Sequence, residues 1–286
     1  DISGNWSMLK SFSGRSAQIK FGGNYVERTR DFSSRRFRFV PNSANTGGAI
    51  GIDLSQRPET LFASQNIGSI FRFNEETRPV DAYDGEMKTM AGYGMVDLAL
   101  SDKVRFSGGV RVEDYDQQVN TFDPFGLFLG EVSAQIKNTQ VYPGANLIFA
   151  VRSDTNLRMS YSRTVNRPEF RELAAFEFTD VVGNRAVKGN PELTEARIQN
   201  ADVRLETLSG GRNVLAVSGF FKDFDAPIER VVLAGAQPIV TFQNAQNARN
   251  LGVELEAARQ FGSNLFLNLN YTFVDSTITL SPEQRT

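Results

Sequence analysis

The sequence SRTVNRPEFRELAAFEF spans residues 162–178 and is followed by GNPEL (189–193) and ARIQNADVRLE (196–206). On either side of the polar middle part, apolar and polar residues alternate, as expected for two β-strands. The apolar positions are Leu157, Met159, Tyr161, Ala201, Val203 and Leu205, and the polar positions are Asn156, Arg158, Ser160, Ser162, Asn200, Asp202, Arg204 and Glu206. A row of charged and amide groups does not suit a buried core. The pattern predicts a wall with water on one side and an apolar environment on the other.

Composition excludes several chemistries. The chain has 286 residues and a net charge of -2, so it lacks a global positive field for nucleic acid. It contains neither cysteine nor histidine, which excludes disulfides, thiol nucleophiles, and catalysis or metal binding through histidine. We therefore expect a protein that is not an enzyme and has no cofactor.

The alternation recurs along the chain and predicts about ten strands. We expect them at residues 5–12, 16–40, 87–100, 104–113, 134–151, 156–162, 196–208, 213–224, 250–261 and 264–273. Within the second strand, Gly22 and Gly23 suggest a bulge. A small additional hairpin is expected between residues 228–233 and 238–242.

The spacing of the turns predicts the architecture. Short turns lie near residues 14, 102, 154, 210 and 262, and long polar segments such as 41–84 lie between them. Outer-membrane barrels have short turns at one end and long loops at the other, whereas soluble sandwiches mix the two. Tyr271 and Phe273, near a strand end, suit an interfacial aromatic belt, with cross-strand packing as the alternative. The sequence thus predicts an all-β, transmembrane antiparallel β-barrel.

Two charged clusters allow more than one interpretation. The arginines Arg28, Arg30, Arg35, Arg36 and Arg38 form either a solvated strand extension or a basic patch for lipopolysaccharide phosphates or an anionic ligand. The acidic residues Glu113, Asp114 and Asp116 could bind Ca²⁺. They lack the glycine and the carboxylate spacing of a known calcium loop, so no metal site is predicted.

The order SRTVNRPEFREL, GNPEL, IQNADVRLE and GVELEA (252–257) resembles the barrel of TonB-dependent outer-membrane receptors. The resemblance implies that the ten strands belong to a larger barrel of about 22 strands. It also implies uptake of a scarce nutrient: an iron chelate, cobalamin or a carbohydrate. The implied partners are the lipid bilayer with lipopolysaccharide, a plug domain, the TonB energy-transducing complex, and a small-molecule or oligosaccharide ligand. The implied location is the outer membrane of a Gram-negative-type bacterium.

The resemblance also sets an expectation about domains. The family has a plug and a coupling segment ahead of the barrel and a last strand with a terminal aromatic residue, and neither is found in this sequence. We therefore expect residues 1–286 to be one partial barrel domain.

The loop after the sixth strand contains the candidate ligand-binding residues. They are Arg167, Glu169, Phe170, Arg171, Phe176 and Phe178. Alternating aromatic and charged side chains suit stacking on a sugar or holding a chelate. The competing interpretation is structural: Pro168 and Phe170 lock the loop against the barrel mouth, and Arg–Glu pairs hold it there. The charged residues Asp202, Arg204, Glu206, Glu254 and Glu256 are expected to line the lumen as a polar network.

Other functions remain open from the sequence alone. A passive porin or an assembly barrel would share the alternation without needing a plug. A soluble glycan-binding module would pack its apolar faces against each other. An outer-membrane enzyme would need catalytic designs without histidine.

Overall fold

The computed structural model describes residues 1–12, 14–42, 53, 55–127, 130–179, 186–210, 213–235 and 238–280. The strands are β1 (Ile2–Phe12), β2 (Arg15–Ser33), β3 (Phe37–Pro41), β4 (Phe71–Glu75), β5 (Ala82–Ala99), β6 (Val104–Phe122), β7 (Val132–Arg152), β8 (Thr155–Asn166), β9 (Glu177–Thr179), β10 (Ala186–Lys188), β11 (Ala196–Ser209), β12 (Asn213–Asp225), β13 (Ile228–Leu233), β14 (Ile239–Asn244), β15 (Asn247–Phe261) and β16 (Leu265–Thr279). The helices are α1 (Pro58–Leu61), α2 (Phe170–Leu173) and a 3₁₀ turn, Ser64–Asn66. No helix in the described ranges is long and apolar enough to cross a membrane.

Ten of the strands form one antiparallel sheet in the order β1-β2-β5-β6-β7-β8-β11-β12-β15-β16. Each strand pairs with its neighbours in this series, so the sheet is a meander, and the prediction of ten strands is confirmed. The sheet is part of a barrel wall: in the described residues its edge strands β1 and β16 do not pair with each other. Two smaller sheets, β13-β14-β10-β9 and β3-β4, are built from the long connections.

The two faces of the large sheet differ as the sequence predicts. We call the face that carries Met159 and Val203 the outer face, and the face that carries Ser160 and Asp202 the inner face; the register pairs these residues directly. Exposed apolar side chains cover the outer face, including Leu205, Val253, Leu255, Leu269, Tyr271 and Phe273. They face outward rather than packing against a second sheet, which removes the soluble sandwich as a fold.

The connections alternate between the two ends of the sheet. Short turns join β1–β2, β5–β6, β7–β8, β11–β12 and β15–β16 at one end, the short-turn end. All long connections lie at the other end, the long-loop end, as predicted. Gly210 and Gly262 have φ values of 60° and 59°, which permits these tight reversals.

The polarity of the faces reverses along the strands. On the outer face of β6, Val110 and Val112 are exposed, but the next residue on that face is Asp114. On the inner face of the same strand, Arg111 and Glu113 give way to Tyr115, Val119 and Thr121, which are buried. The strand therefore has an apolar outer face near the short turns and an apolar inner face near the long loops.

The long second strand with a bulge is a wrong prediction. β2 ends at Ser33, and its register with β1 and β5 is continuous through Gly22 and Gly23. A Cβ at Gly22 would lie 2.5 Å from the Asn5 Oδ1 atom and 2.9 Å from the Tyr93 ring. The glycine thus leaves room for Tyr93 to donate a hydrogen bond to Asn5 (2.8 Å) across the strand.

The segment 41–84, predicted to be irregular, is partly ordered into strands. β3 and β4 form a hairpin-like arm in which Phe73 stacks on Phe37 and packs at a tilt against Phe39. β5 begins at Ala82, five residues earlier than predicted. Most of the NSANTGG stretch, residues 43–48, lies outside the described residues.

The five arginines do not form a single patch. Arg28 and Arg30 pair with Met87 and Gly85 of β5, which places them on the inner face. Arg35 forms a bidentate pair with Glu75, and the remaining two arginines pair with acidic residues of the same region. On the outer face of β2, the positions that alternate with Arg28 and Arg30 are Glu27, Thr29 and Asp31. The run therefore presents no continuous basic patch to the outside, and the lipopolysaccharide interpretation does not fit its geometry.

Candidate functional site: the folded loop on the inner face

The described parts of the β8–β11 connection, residues 167–179 and 186–195, pack on the inner face of the long-loop half. This connection contains α2, β9 and β10, and β10 pairs in parallel with β14 of the β12–β15 connection. Its apolar residues Leu173, Ala174, Phe176, Val187 and Leu193 form one buried cluster with Tyr83, Tyr115, Val119, Ala134 and Ile136 of the wall and Val240 and Phe242 of β14. This contact explains why the inner face of the wall is apolar at this end: the loop covers it and shields it from water.

Gly189 shows how tightly the loop is folded. A Cβ at this position would lie 2.1 Å from the Ala174 carbonyl oxygen and 2.6 Å from that of Arg171. Both are backbone atoms, which cannot move aside as a flexible side chain can. The glycine of GNPEL is therefore required by the packing of the loop on itself.

Arg167 connects the loop to the wall. Its Nη1 donates to Glu113 Oε2 (3.0 Å), its Nη2 donates to the Tyr142 hydroxyl (2.9 Å), and its guanidinium lies 3.9 Å from the centre of the Tyr115 ring. Its Nε faces Glu195 Oε2 at 3.6 Å. Since Arg167, Glu113 and Glu195 are all largely buried, the charges neutralise one another away from solvent.

The same residues close a gap in the wall. Pairing between β7 and β8 stops at Gly144 and Ser162, although both strands continue toward the long loops. Proline at 143 has no N–H to donate, which suits the end of a ladder. Inside the gap, Asn138 (2.9 Å) and Gln140 of β7 donate to the Glu195 carboxylate. Arg167 and Glu195, which flank the loop, therefore fill the space where the strands separate.

An aromatic group holds the other end of the loop. Phe176 is buried and contacts Phe32 (centroids 4.9 Å), Tyr83 (6.1 Å) and Phe178 (6.0 Å). Phe170 lies over Gly85 of β5, where a Cβ would come within 2.7 Å of its ring. The wall thus provides a flat surface for the loop.

The loop is also joined to the β3–β4 arm. Arg36 donates Nε to the fully buried Asp81 (2.7 Å) and an Nη to the Glu177 carbonyl. Arg78 forms an ion pair with the Glu177 side chain (2.7 Å). The two long connections therefore form one continuous structure at the mouth of the wall.

The six predicted ligand residues divide into two groups. Arg167 and Phe176 are buried and hold the loop on the wall, as the structural interpretation requires. Glu169 is the N-cap of α2 and forms a reciprocal capping box with Glu172. Arg171 is exposed and lies over the Phe178 ring (5.3 Å). The edge of the loop that reaches solvent is therefore Glu169 and Arg171, with the half-buried Phe170 between them.

That edge borders an open groove of about 800 Å³ on the inner face. β2, β5, β6 and the start of the loop line it, and its charged residues are Arg28, Arg30, Arg111, Glu113, Arg167 and Glu169. Arg111 is bound by Glu113 (2.7 Å) and Asn24 (2.9 Å). Within the described residues, the side chains of Arg28 and Arg30 make no hydrogen bond and no ion pair. This division was not predicted from the sequence, although residues 28 and 30 are two apart in a strand and therefore lie on one face.

Burial also changes the acidity of the site. Tyr115 is buried beneath Arg167 and donates its hydroxyl to Gln117 (2.6 Å). Burial raises the pKa of Tyr115 to about 12, because the phenolate would lose its hydration. Gln117 in turn donates to the Pro168 carbonyl (3.1 Å), so this neutral phenol belongs to the same contact that fixes the loop.

The acidic cluster on β6 is not a metal site. Glu113 lies on the inner face, and Asp114 and Asp116 lie on the outer face. Asp114 accepts a hydrogen bond from Thr139 (2.7 Å), and Asp116 pairs with Lys137 (2.8 Å). The three carboxylates therefore do not converge.

In the short-turn half, the inner face carries the predicted polar network. Arg204 binds Glu206 (2.9 Å) and Glu256 (2.7 Å), and Arg158 binds Glu206 (2.5 Å). Ser160 donates to Asp202 (3.1 Å). The expectation of an internally paired lumen wall is confirmed for these residues.

A large antiparallel wall with an apolar outer face, a charged inner face and long loops at one end is the pattern of an outer-membrane barrel. The family described as TonB dependent receptor-like, beta-barrel, matches residues 2–285. The chain therefore belongs to the TonB-dependent receptor β-barrel family, whose members are outer-membrane transport receptors and not enzymes. The predicted family and fold are confirmed.

Solved structures show the same fold at low sequence identity. The ferric-catecholate import receptor Fiu from E. coli K12 aligns with a TM-score of 0.61 and 14% identity, over 96% of this chain and 37% of that chain. The alcaligin outer-membrane receptor FauA from Bordetella pertussis aligns with a TM-score of 0.58 and 14% identity, over 96% of this chain and 38% of that chain. A double mutant of the Serratia marcescens hemophore receptor HasR, solved with its hemophore HasA and heme, aligns with a TM-score of 0.56 and 12% identity. The alignment covers 91% of this chain and 42% of that chain. No curated protein matches. The chain thus spans about two-fifths of the length of these receptors.

Proposed function

We propose that this chain is the ligand-receiving part of the barrel wall of a TonB-dependent receptor that takes up a scarce nutrient across the outer membrane. The observation that carries the proposal is the inner-face groove, bordered by a loop that the wall itself holds in place. A pore for passive diffusion has no need of such a loop, whereas a receptor needs a fixed surface to bind its ligand.

The orientation follows from the fold. The exposed apolar outer face in the short-turn half suits the hydrocarbon core, and the long-loop end is then extracellular. The bilayer with its lipopolysaccharide surrounds the outer face. A plug domain inside the wall and the TonB complex acting on it are the partners that the family supplies. The proposed location is therefore the outer membrane of a Gram-negative-type bacterium.

The proposed ligand is a small molecule of the classes that the family carries: an iron chelate, cobalamin or a carbohydrate. Fiu, FauA and HasR are named for a ferric catecholate, alcaligin and a hemophore. These names support an iron-containing ligand as the first to test. The contact residues proposed on this chain are the exposed loop residues Glu169 and Arg171, the half-buried Phe170 between them, and Phe178 beneath Arg171.

The proposal is tested by nutrient uptake in the intact receptor. A strain that lacks the receptor is complemented with it and grown with one limiting nutrient at a time: ferric catecholates, ferric hydroxamates, heme, cobalamin or oligosaccharides. We expect one nutrient class to support growth only when both the receptor and TonB are present. Growth on every nutrient without the receptor, or uptake that persists without TonB, would contradict the proposal.

Loop variants then test the contact residues. Phe170→Ala with Arg171→Ala is expected to lower uptake at least severalfold while the receptor reaches the membrane in normal amounts. The matched control is Arg259→Ala, an exposed arginine on the outer face near the short turns, which lies over Phe261. Equal uptake by the loop variant and the control would remove these residues from the ligand site.

A further inference from the structure

The groove on the inner face contains four arginines with different surroundings. Arg111 and Arg167 are held by hydrogen bonds to Glu113, and Arg167 also faces Glu195. Arg28 and Arg30 have no acidic partner in the described part of the chain, and both are exposed. The groove therefore carries positive charge that the wall and loop do not neutralise.

We propose that Arg28 and Arg30 form an anion-binding pair that makes the receptor select a ligand with several negatively charged oxygens, such as carboxylate, catecholate or phosphate oxygens. This inference rests on the proposed function and specifies the chemistry of its ligand. It distinguishes among the family's ligand classes, since neutral hydroxamate chelates and plain sugars carry no net negative charge, and cobalamin carries a single phosphodiester rather than several anionic groups.

The positions of the two arginines suit this role. Alternate residues of a strand lie about 7 Å apart on one face, so the two guanidinium groups can bind separate oxygens of one ligand. Each guanidinium presents parallel N–H groups that match the geometry of paired oxygens. The backbone that carries the two arginines is held by β5, with which β2 pairs without interruption from Ala17 to Ser33.

The surroundings add an apolar wall and one opposing charge. Phe170, resting over Gly85, borders the groove beside the arginine pair and offers a ring face to a flat ligand. Glu169 also borders the groove, but it is exposed and faces Arg171 at 3.7 Å. The carboxylate of Glu169 is thus exposed to solvent and has a cation of its own loop beside it.

The test measures the charge of the groove without knowing the ligand. The chain has no cysteine, so the Val26→Cys substitution places one thiol on the inner face beside Arg28, at a position that lines the groove. In outer membranes that contain the intact receptor, the thiol is labelled with anionic and with cationic methanethiosulfonate reagents of similar size. Two charges at this separation change the ratio of the two rates by about fivefold at physiological salt.

We expect the anionic reagent to be favoured, and we expect Arg28→Ala with Arg30→Ala to lower the anionic-to-cationic ratio about fivefold. Arg28→Lys with Arg30→Lys keeps the charge and is expected to keep the ratio. The control thiol is Asn270→Cys, on the inner face of β16 beside Glu256, where the arginine variants leave the ratio unchanged.

Two results would overturn the inference. A ratio that the double alanine variant does not alter would show that the arginine charge is neutralised in the intact receptor. A thiol in the groove that no reagent reaches, while the control thiol reacts, would show that the receptor's own plug occupies the site. If the ratio changes as expected but no nutrient is taken up, the anion site stands and the proposed transport fails; uptake with an unaltered ratio gives the opposite conclusion.

Discussion

The two halves of the wall use the same strands with opposite polarity. Near the short turns, Val203 on the outer face is half exposed and Glu206 on the inner face is buried in ion pairs. Near the long loops, Asp116 is on the outer face and Val119 on the inner face is fully buried. A strand's apolar face therefore follows its surroundings: in one half it lies on the outside, where the proposed bilayer would be, and in the other half it lies on the inside, beneath the folded loop.

The largest expected effect is the loss of the contact between loop and wall. Arg167→Ala would leave Glu113 and Glu195 buried without their shared cation. Removing one partner of a buried ion pair costs about 3–5 kcal/mol. We expect the loop to detach and residues near 170–190 to become sensitive to limited proteolysis, which is measured together with urea unfolding in detergent.

The matched control is an ion pair of the other half. Arg105 binds Asp97 (2.7 Å) on the inner face near the short turns, but Arg105 is mostly exposed. Arg105→Ala is expected to cost at most about 1 kcal/mol. Equal costs for Arg105→Ala and Arg167→Ala would mean that the long-loop half is not held together by its buried charges.

The second effect concerns the outer face. Val203→Lys places a charge in the apolar band, and a lysine facing lipid near the midplane costs about 2–4 kcal/mol. Gln199→Lys lies on the same face of β11, four residues nearer the long loops. It is expected to change stability by at most about 0.5 kcal/mol.

The comparison of these two lysine variants locates the membrane boundary. The stability of the two lysine variants is measured by heat-modifiability on gels and by the yield of folding into lipid vesicles. If the two lysines were equally costly, the boundary between the halves would lie elsewhere; if both were harmless, the outer face would not meet lipid.

The sequence predicted one half better than the other. In the short-turn half, alternation alone identifies both faces, because lipid and lumen water act uniformly along every strand. In the long-loop half, alternation assigns β6 correctly only as far as Glu113. Beyond it, the inner positions of β6 become apolar at Tyr115 and Val119, because a loop about fifty residues away in sequence packs on them. No local pattern contains that information.

The site shows the same limit. The motif from Arg167 to Phe178 was found from sequence, and its structural interpretation is supported by the contacts of Arg167 and Phe176. Arg28 and Arg30 could have been separated from the arginine run by strand parity. What parity could not supply is that these two side chains have no acidic partner among the described residues, since Arg35, Arg36 and Arg38 find theirs across long connections.

The third effect is a pH dependence confined to the long-loop half. Burial raises the pKa of Tyr115 to about 12, against an ordinary value of about 10. The folded protein therefore holds this proton more tightly than the unfolded chain. The stabilisation is fully present below pH 10 and is lost as pH rises from about 10 to about 12, by about 2 kcal/mol.

Tyr115→Phe provides the reference. It removes the ionisation along with the hydrogen bond to Gln117, so its stability is expected to be lower at neutral pH but flatter above pH 10. Unfolding curves of both proteins between pH 8 and 12 give the difference. Parallel curves would mean that the phenol is hydrated, and hence that the loop does not cover the inner face.

The smallest effect separates loop folding from ligand binding at Glu169. Its side chain caps α2, and loss of an N-cap costs about 1 kcal/mol. Glu169→Ala is thus expected to loosen the loop slightly, which proteolysis near residue 170 measures. Glu169→Ser retains a capping oxygen and is expected to restore protection without restoring the negative charge. If the serine variant is as well protected as the wild type but takes up nutrient differently, Glu169 also acts on the ligand; if protection and uptake recover together, its role is to shape the loop whose exposed edge borders the groove.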